Sequence, residues 1–414
     1  MAAAPAAIAT LVGRFDAEVF DAPRRRSRIR LAVGDEQAAD VIVEDGRAVV
    51  AAPNGRPDGV LRADAQTWEV IAADARSGLD AFRSGRLSVR RNLHMGVAFL
   101  AATSGATGPG RLRFRTVTTA GARLSIMEAG TGPPILALHG LGASKLSFLP
   151  TVRTLSARAR VIAVDLPGFG DSDKPIGAAY DARFFAAAAI ALMDALGLDR
   201  VHLIGNSLGG RVALEVALRH PGRVARVALL APSLAWRRER PGLWLLRLTR
   251  PQLGLVPLAP RALVETIVRR LIPGAEEGWT AAGVDEFLRA HLTPAGRVAF
   301  FAAARQIYLE EAHGELGFWT RLPTLQPDSL FVWGRRDRLV PIAFARHVAE
   351  ALPRARHLEL DCGHVPQLER PRPTHAAIRA FLSEATDDSD AGPFTRTGGA
   401  PGGGGTRRLG GGPG

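Results

Sequence analysis

Six short apolar runs dominate the chain from residue 135 onward: ILALHG (135–140), RVIAVDLPG (160–168), RVHLIGNS (200–207), RVARVALLAP (223–232), SLFVWG (329–334) and RHLELDCG (356–363). Each is followed by a loop, and segments with helical spacing such as DARFFAAAAIALMDALG (181–197) and GGRVALEVALRH (209–220) lie between them. Strands this uniformly apolar have no face left for water, which predicts a parallel sheet covered by helices on both sides. In open sheets of that kind, ligands and catalytic groups gather at the carboxyl ends of the strands. The chemistry is therefore sought in the residues just after each run.

The run RLRFRTVTTAGARLSIMEAG (111–130) predicts a hairpin ahead of this sheet, with TAG at its turn. Before it, TSGATGPG (103–110) is rich in Gly, Ser and Thr and reads as a linker. The chain is thus divided into an α+β domain over 1–103, a linker over 104–110 and an α/β domain over 111–385. The glycine-rich stretch 386–414 has little to bury and is expected to be a disordered tail. In the first domain a helix is expected near Ala7–Phe20, and SRIRLAV, ADVIVED and RAVVAAP read as strands. Apolar residues Trp68, Ile71, Ala72, Ala75 and Leu79 follow a helical period, GRLSVRR alternates, and LHMGVAFLAA (93–102) reads as an amphipathic helix.

The formal charge of +13 raises the question of nucleic acid. The basic residues are scattered arginines, with Lys145 and Lys174 the only lysines, and no aromatic interleaving suggests a stacking platform. No nucleic-acid partner is expected. No apolar run reaches the ~18–20 residues of a membrane span. The amino-terminal MAAAPAAIATLVGRF lacks a basic leader, and Cys362 is the only cysteine, so no intramolecular disulfide forms. A cytoplasmic location is the expectation.

The chemistry-bearing loops begin at LIGNSLGG (203–210). A strand turning sharply into a helix pushes the central side chain, Ser207, out of the turn, and Gly205 and Gly209 leave the room this needs. A serine hydroxyl is a weak nucleophile and needs a base held by an acid. Downstream, Asp337 follows the SLFVWG strand and His364 follows the next. Asp361 is the rival acid but lies close to His364 in sequence, and Asp165 reads as a turn-fixing carboxylate. His220 ends a helix, His202 and His357 lie within strands, and His347 and His375 within helical runs. An oxyanion hole would take the N–H of Leu208 and that of Leu141, in the loop His139-Gly140-Leu141-Gly142, where Gly140 lets substrate approach the backbone.

HGLG (139–142), DLPGFGDSD (165–173), GNSLGG (205–210), GRRDRLVP (334–341) and GHVPQLERP (363–371) together resemble the α/β-hydrolase superfamily. That resemblance implies a Ser207–His364–Asp337 triad, no cofactor and no metal. It is nearest to carbon–carbon bond hydrolases, small esterases and cofactor-free haloperoxidases. Haloalkane dehalogenases and epoxide hydrolases carry aspartate where this chain has Ser207, so ester-like or C–C acyl chemistry is favoured. The resemblance also places a helical cap at about 233–322. There Trp236, Trp244, Leu245 and Phe301 are candidates for an apolar acyl pocket, and the basic amphipathic runs WLLRLTR and IVRRL would suit contact with a membrane surface.

The stretch LRADAQTWEVIAADARSGLDAFRSGRLSVRRNLHMGVAFL (61–100) resembles the sterol carrier protein type of lipid-transfer domain. This implies a nonpolar tunnel for fatty-acyl or sterol-like ligands. The sequence therefore leads to a serine hydrolase for a hydrophobic ester, thioester or lipid-like substrate, fused to a lipid-binding domain. The rivals are a meta-cleavage type C–C hydrolase and a lipid carrier whose hydrolase-like part only scaffolds.

Overall fold

The computed structural model describes residues 6–21, 26–35, 37–74, 77–236, 277–291 and 293–384, with isolated positions between 260 and 270. The first sheet holds β1 (Arg26–Val33), β2 (Gln37–Glu44), β3 (Arg47–Ala51), β4 (Gly59–Ala63) and β5 (Ser88–Arg90), in the order β3-β2-β1-β4-β5. Around it lie α1 (Ala6–Val12), α2 (Ala65–Ala73), α3 (Ser77–Arg83) and α4 (Leu93–Ala102). Asp64 starts α2 by accepting the Thr67 N–H at 2.6 Å, so the strand β4 runs straight into a capped helix. Trp68 is fully buried and donates its indole N–H to the Ala32 carbonyl at 2.9 Å.

Three elements differ from the sequence reading. The first helix ends at Val12, with turns from Gly13 onward. Strand β4, GVLRA, has no counterpart in the expected strands; it is parallel to β1 from Ile29↔Gly59 to Val33↔Ala63. Finally, α4 is not amphipathic: nine of its ten residues are buried, Ala101 being the exception. A helix buried all round lies between two packed bodies rather than at a surface.

The second sheet comprises β6 (Arg113–Thr118), β7 (Arg123–Ala129), β8 (Pro134–Leu138), β9 (Arg160–Val164), β10 (Val201–Asn206), β11 (Val224–Leu230), β12 (Asp328–Gly334) and β13 (Arg356–Leu360). Their order is β6-β7-β9-β8-β10-β11-β12-β13, and only β7 runs against the others. Strands β8, β10 and β11 are buried at every residue. Alternate side chains feed two cores: Ile135, Ala137, Val161, Ala163, Ile204 and Ala228 on one face, Leu136, Leu138, Ile162, Val164, Leu203 and Val227 on the other. The edge strand β13 is half exposed, as its alternating RHLEL requires.

The flanking helices are α5 (Leu149–Leu155), α6 (Ala182–Ala195), α7 (Leu208–Arg219), α8 (Glu277–His291), α9 (Pro294–Leu309), α10 (Phe318–Arg321), α11 (Ala343–Ala351), α12 (Pro366–Glu369) and α13 (Pro371–Ser383). Among the described residues, no helix is long and apolar enough to cross a membrane.

The two sheets share one hydrophobic cluster. Ile29, Leu31, Leu61, Trp68 and Phe99 of the first unit belong to the same contiguous core as Ile135, Val161 and Ile204 of the second. Burial coupled in this way makes unfolding cooperative. Trp68→Ala should cost about 3–5 kcal/mol, the usual range for truncating a buried aromatic. Urea denaturation should show it as a lower midpoint in one transition followed alike by far-UV signal and tryptophan fluorescence. Two separate transitions, with only the earlier one moved, would contradict a shared core.

Candidate active site

The site is assembled where β8, β10, β12 and β13 end. Ser207 follows β10 and precedes α7, with φ of +53° and ψ of −115°. A non-glycine residue in this region is strained, and such strain persists only where its surroundings over-determine it. The surroundings are tight. A Cβ at Gly209 would run into the Leu138 carbonyl, and one at Gly205 into the Gly209 carbonyl. The Ser207 N–H donates to Leu230 O at 3.0 Å, and its carbonyl accepts from Arg211 at 3.0 Å and Ser233 at 2.9 Å. The elbow is thus tied to the next strand and to the helix it begins, while Ser207 itself stays partly open to solvent.

Asp337 and His364 meet directly: His364 Nδ1 lies 2.7 Å from Asp337 Oδ2. The other Asp337 oxygen accepts from the Leu339 N–H at 2.7 Å and the Val340 N–H at 3.0 Å, which fixes the carboxylate plane. Asp361, the rival acid, points away, into surface pairs with Arg336 at 2.9 Å and Arg370 at 3.7 Å.

Two residues that the sequence reading passed over hold these loops. Asn206 Nδ2 donates to Leu230 O at 2.9 Å and to His364 O at 3.1 Å, which ties the histidine loop to the elbow. Glu369 straddles His364: its carboxylate accepts from the Gly363 N–H at 2.8 Å and the Val365 N–H at 3.0 Å. Cys362 adjoins the loop, but burial, with Glu369 and Asp337 adding to it, pushes its thiol up to about 12. It remains a neutral thiol and no competing nucleophile.

The loop His139–Gly142 closes the other side. A Cβ at Gly140 would sit 3.3 Å from Ser207 Cβ and 3.2 Å from Asn206 Oδ1, so bare backbone lies against the serine. His139 is fully buried; Nδ1 meets Gly140 O at 2.7 Å and Nε2 accepts the Leu166 N–H at 3.0 Å. With both nitrogens assigned this way, the ring is the neutral Nδ1–H tautomer, and burial drives its pKa down. Leu141 is half-buried and Leu208 opens α7, whose amino end is the positive pole of its dipole.

A buried charge cluster underlies this loop. The Lys145 ammonium is fully buried, 2.6 Å from Asp165 Oδ2 and 3.6 Å from Asp171. Asp165 also accepts the Lys145 N–H at 2.6 Å and the Asp171 N–H at 2.9 Å. Burial opposes the charge on Asp171; Arg289, His94 and Lys145 outweigh it and hold the carboxyl well below its usual range.

The pocket candidates are dispersed. Trp236 is half-buried and packs edge-on against Phe344 at 5.0 Å. Phe301 is half-buried and meets Phe300 at 5.8 Å. Trp244 and Leu245 lie outside the described residues. Phe287 and Phe300 are set against the 139–142 loop: a Cβ at Gly142 would lie 2.6 Å from Phe287 Cε2 and 3.1 Å from Phe300 Cε2. A separate cleft of about 210 Å³ opens beside Leu208, lined by Tyr180, Arg211, Gln306, Ile307 and Glu310; neither Ser207 nor His364 lines it.

With this geometry in place, comparison with known proteins defines the class. Residues 133–371 match the family described as alpha/beta hydrolase fold, and the chain belongs to it. A 2-hydroxymuconate semialdehyde hydrolase of Pseudomonas sp. (strain CF600) is 28% identical over 279 residues, covering 66% of this chain and 94% of that protein. A crystal structure of a membrane phospholipase A, described as a bacterial virulence factor, is 30% identical with a TM-score of 0.56, covering 66% of this chain and 86% of that one. A thermophilic esterase from Thermogutta terrifontis is 27% identical with a TM-score of 0.53, covering 65% and 98%. The protein is a hydrolase of this superfamily.

Two buried histidines away from the site, His375 and His202, give the fold a pH dependence. Burial pushes His375, whose Nε2 lies 2.9 Å from Thr151 Oγ1, down to about 4. His202 falls to about 4 by burial, with the Arg226 and Arg200 charges adding to it. In the unfolded chain both titrate near 6.5. Between about 4 and 6.5 the unfolded chain binds protons that the folded chain refuses, so stability rises with pH through that window. The urea midpoint should fall on acidification from pH 6.5 towards 4, and His375→Gln should make the slope shallower. A slope untouched by that substitution would contradict the assignment.

Proposed function

We propose that the protein is a serine hydrolase that cleaves a hydrophobic ester, thioester or lipid-like acyl substrate through an acyl-enzyme on Ser207. His364, with Asp337 on its Nδ1, takes the Ser207 proton as the hydroxyl attacks the acyl carbonyl. The Leu208 and Leu141 amides receive the oxyanion. His364 returns the proton to the leaving group, then activates the water that releases the acid. The observation that carries this reading is the 2.7 Å contact between His364 and Asp337 at the sheet end where Ser207 is held in its strained elbow.

The half-buried apolar rings Phe287 and Phe300, set against Gly142, support a hydrophobic substrate. So do the phospholipase and esterase likenesses. The first unit is assigned a lipid-binding role on the resemblance carried by residues 61–100. A second reading, a C–C bond hydrolase, is favoured by the likeness to the 2-hydroxymuconate semialdehyde hydrolase. A panel of ring-fission dienones against esters of graded chain length separates the two.

A fluorophosphonate probe should label the wild type and leave Ser207→Ala unlabelled. Asp337→Asn should lower kcat by about 10⁴-fold, as loss of the orienting carboxylate does in such triads. A folded wild type that stays unlabelled would sink the proposal. A Ser207→Ala protein that keeps full esterase activity would sink it equally.

A further inference from the structure

Helix α8 is held from two sides by different parts of the chain. Residues 282, 285 and 289 share one face of the helix, with residue 279 at its border, and residue 287, two positions from 285 and so about 200° round, lies away from that face. The first face meets the first unit. Trp279 is buried and sets its edge on Phe82 of α3, with ring centroids 5.1 Å apart. Asp285 is buried and receives a forked grip from Arg90 of β5: Nε at 2.6 Å and Nη2 at 3.2 Å. The Arg91 N–H adds a third bond to the same carboxylate at 3.1 Å, from a backbone at φ of +73°. A forked arginine fixes orientation as well as distance.

The grip continues at Arg289, whose two Nη atoms lie 2.7 and 3.2 Å from the oxygens of Asp171. His94 of α4 approaches the same carboxylate, with Nδ1 3.0 Å from Oδ2. Phe287, on the other side of α8, is packed on Gly142, two residues from the Gly140 backbone that faces Ser207. The first unit therefore reaches the 140–142 loop by two routes, through His94 on Asp171 and through α8, which Arg90 holds at Asp285.

We infer that Arg90 and Asp285 are positioning residues: through them the first unit seats Phe287 against the 140–142 loop and thereby sets which acyl chains reach Ser207. The selectivity half rests on the serine-hydrolase reading; the anchoring half does not. In this arrangement the fused unit is a built-in buttress of the cap, whatever ligand it holds itself.

The test uses the full-length protein as wild type, Arg90→Ala, Arg90→Lys and Arg26→Ala. The last removes an exposed arginine of the same sheet, 3.5 Å from Glu44 and distant from α8 in the pairing order. Hydrogen exchange reads the anchor. In Arg90→Ala the amides of 277–291 should exchange roughly tenfold faster, the scale of a lost charged hydrogen bond, while those of β8, β10 and β11 hold their rates. Esterase kinetics read the consequence. The ratio of kcat/KM for p-nitrophenyl decanoate to that for the acetate should change at least about fivefold, carried mainly by KM.

Arg90→Lys, which keeps the charge and loses the fork, should fall between wild type and alanine in both readouts, and Arg26→Ala should match wild type. If Arg90→Ala does not fold, the lysine variant alone decides. An unchanged α8 exchange rate, or a chain-length ratio equal to wild type, overturns the inference, as does an Arg26→Ala protein that behaves like Arg90→Ala. A wild type that no fluorophosphonate labels overturns the hydrolase reading and the selectivity with it. A labelled wild type with an unmoved Arg90→Ala profile overturns the inference alone.

Discussion

Ser207 can occupy its turn only because residue 209 has no side chain. Any Cβ there would strike the Leu138 carbonyl, and β8 is fixed beside β10 by the register His202↔Ile135 to Gly205↔Leu138. The whole sheet end follows from that contact. If α7 drew back to make room, the Ser207–Leu230 hydrogen bond and the Asn206 bridge to His364 would both lengthen. The strain at φ of +53° is thus held by the central strands, the best-buried part of the molecule, as strained functional backbone must be.

The partners are held on a different principle. Asp337 and His364 come from loops after β12 and β13, and neither loop has a sheet around it. Their rigidity comes from carboxylates gripping main-chain N–H groups: Asp337 on Leu339 and Val340, Glu369 on Gly363 and Val365. Each such charged hydrogen bond is worth about 1.5–3 kcal/mol where it is buried. The His139 loop is stabilised differently again, over the Lys145–Asp165–Asp171 cluster. Burying these ions is tolerable because each carboxylate meets cations and N–H groups at close range.

Much of this was legible in the sequence, for a local reason. Buried parallel strands announce themselves as apolar runs, and the residue after each run lands at the sheet's carboxyl end by topology alone. Ser207, Asp337, His364 and the 139–142 loop could be named on that basis. What escaped was non-local. Strand β4 has only five residues, and its meaning lies in pairing with β1 some thirty residues earlier. Asn206, Glu369 and His94 look like ordinary polar residues until folding shows which backbone or carboxylate they face. The all-round burial of α4 could not be read from its own composition, because it depends on a second body packing on it. Phe287 and Phe300 escaped for the same reason, since Phe301 next to Phe300 has the same local appearance.

The proposed chemistry stands or falls on where an acyl group is found during turnover. Rapid acid quench of the full-length protein with p-nitrophenyl acetate, followed by peptide mass spectrometry, measures this directly. The account predicts an acetyl group on the peptide containing Ser207, at that residue, and none on that peptide in Ser207→Ala. Turnover of the ester with no acyl group on Ser207, or with the group on another side chain, would contradict it.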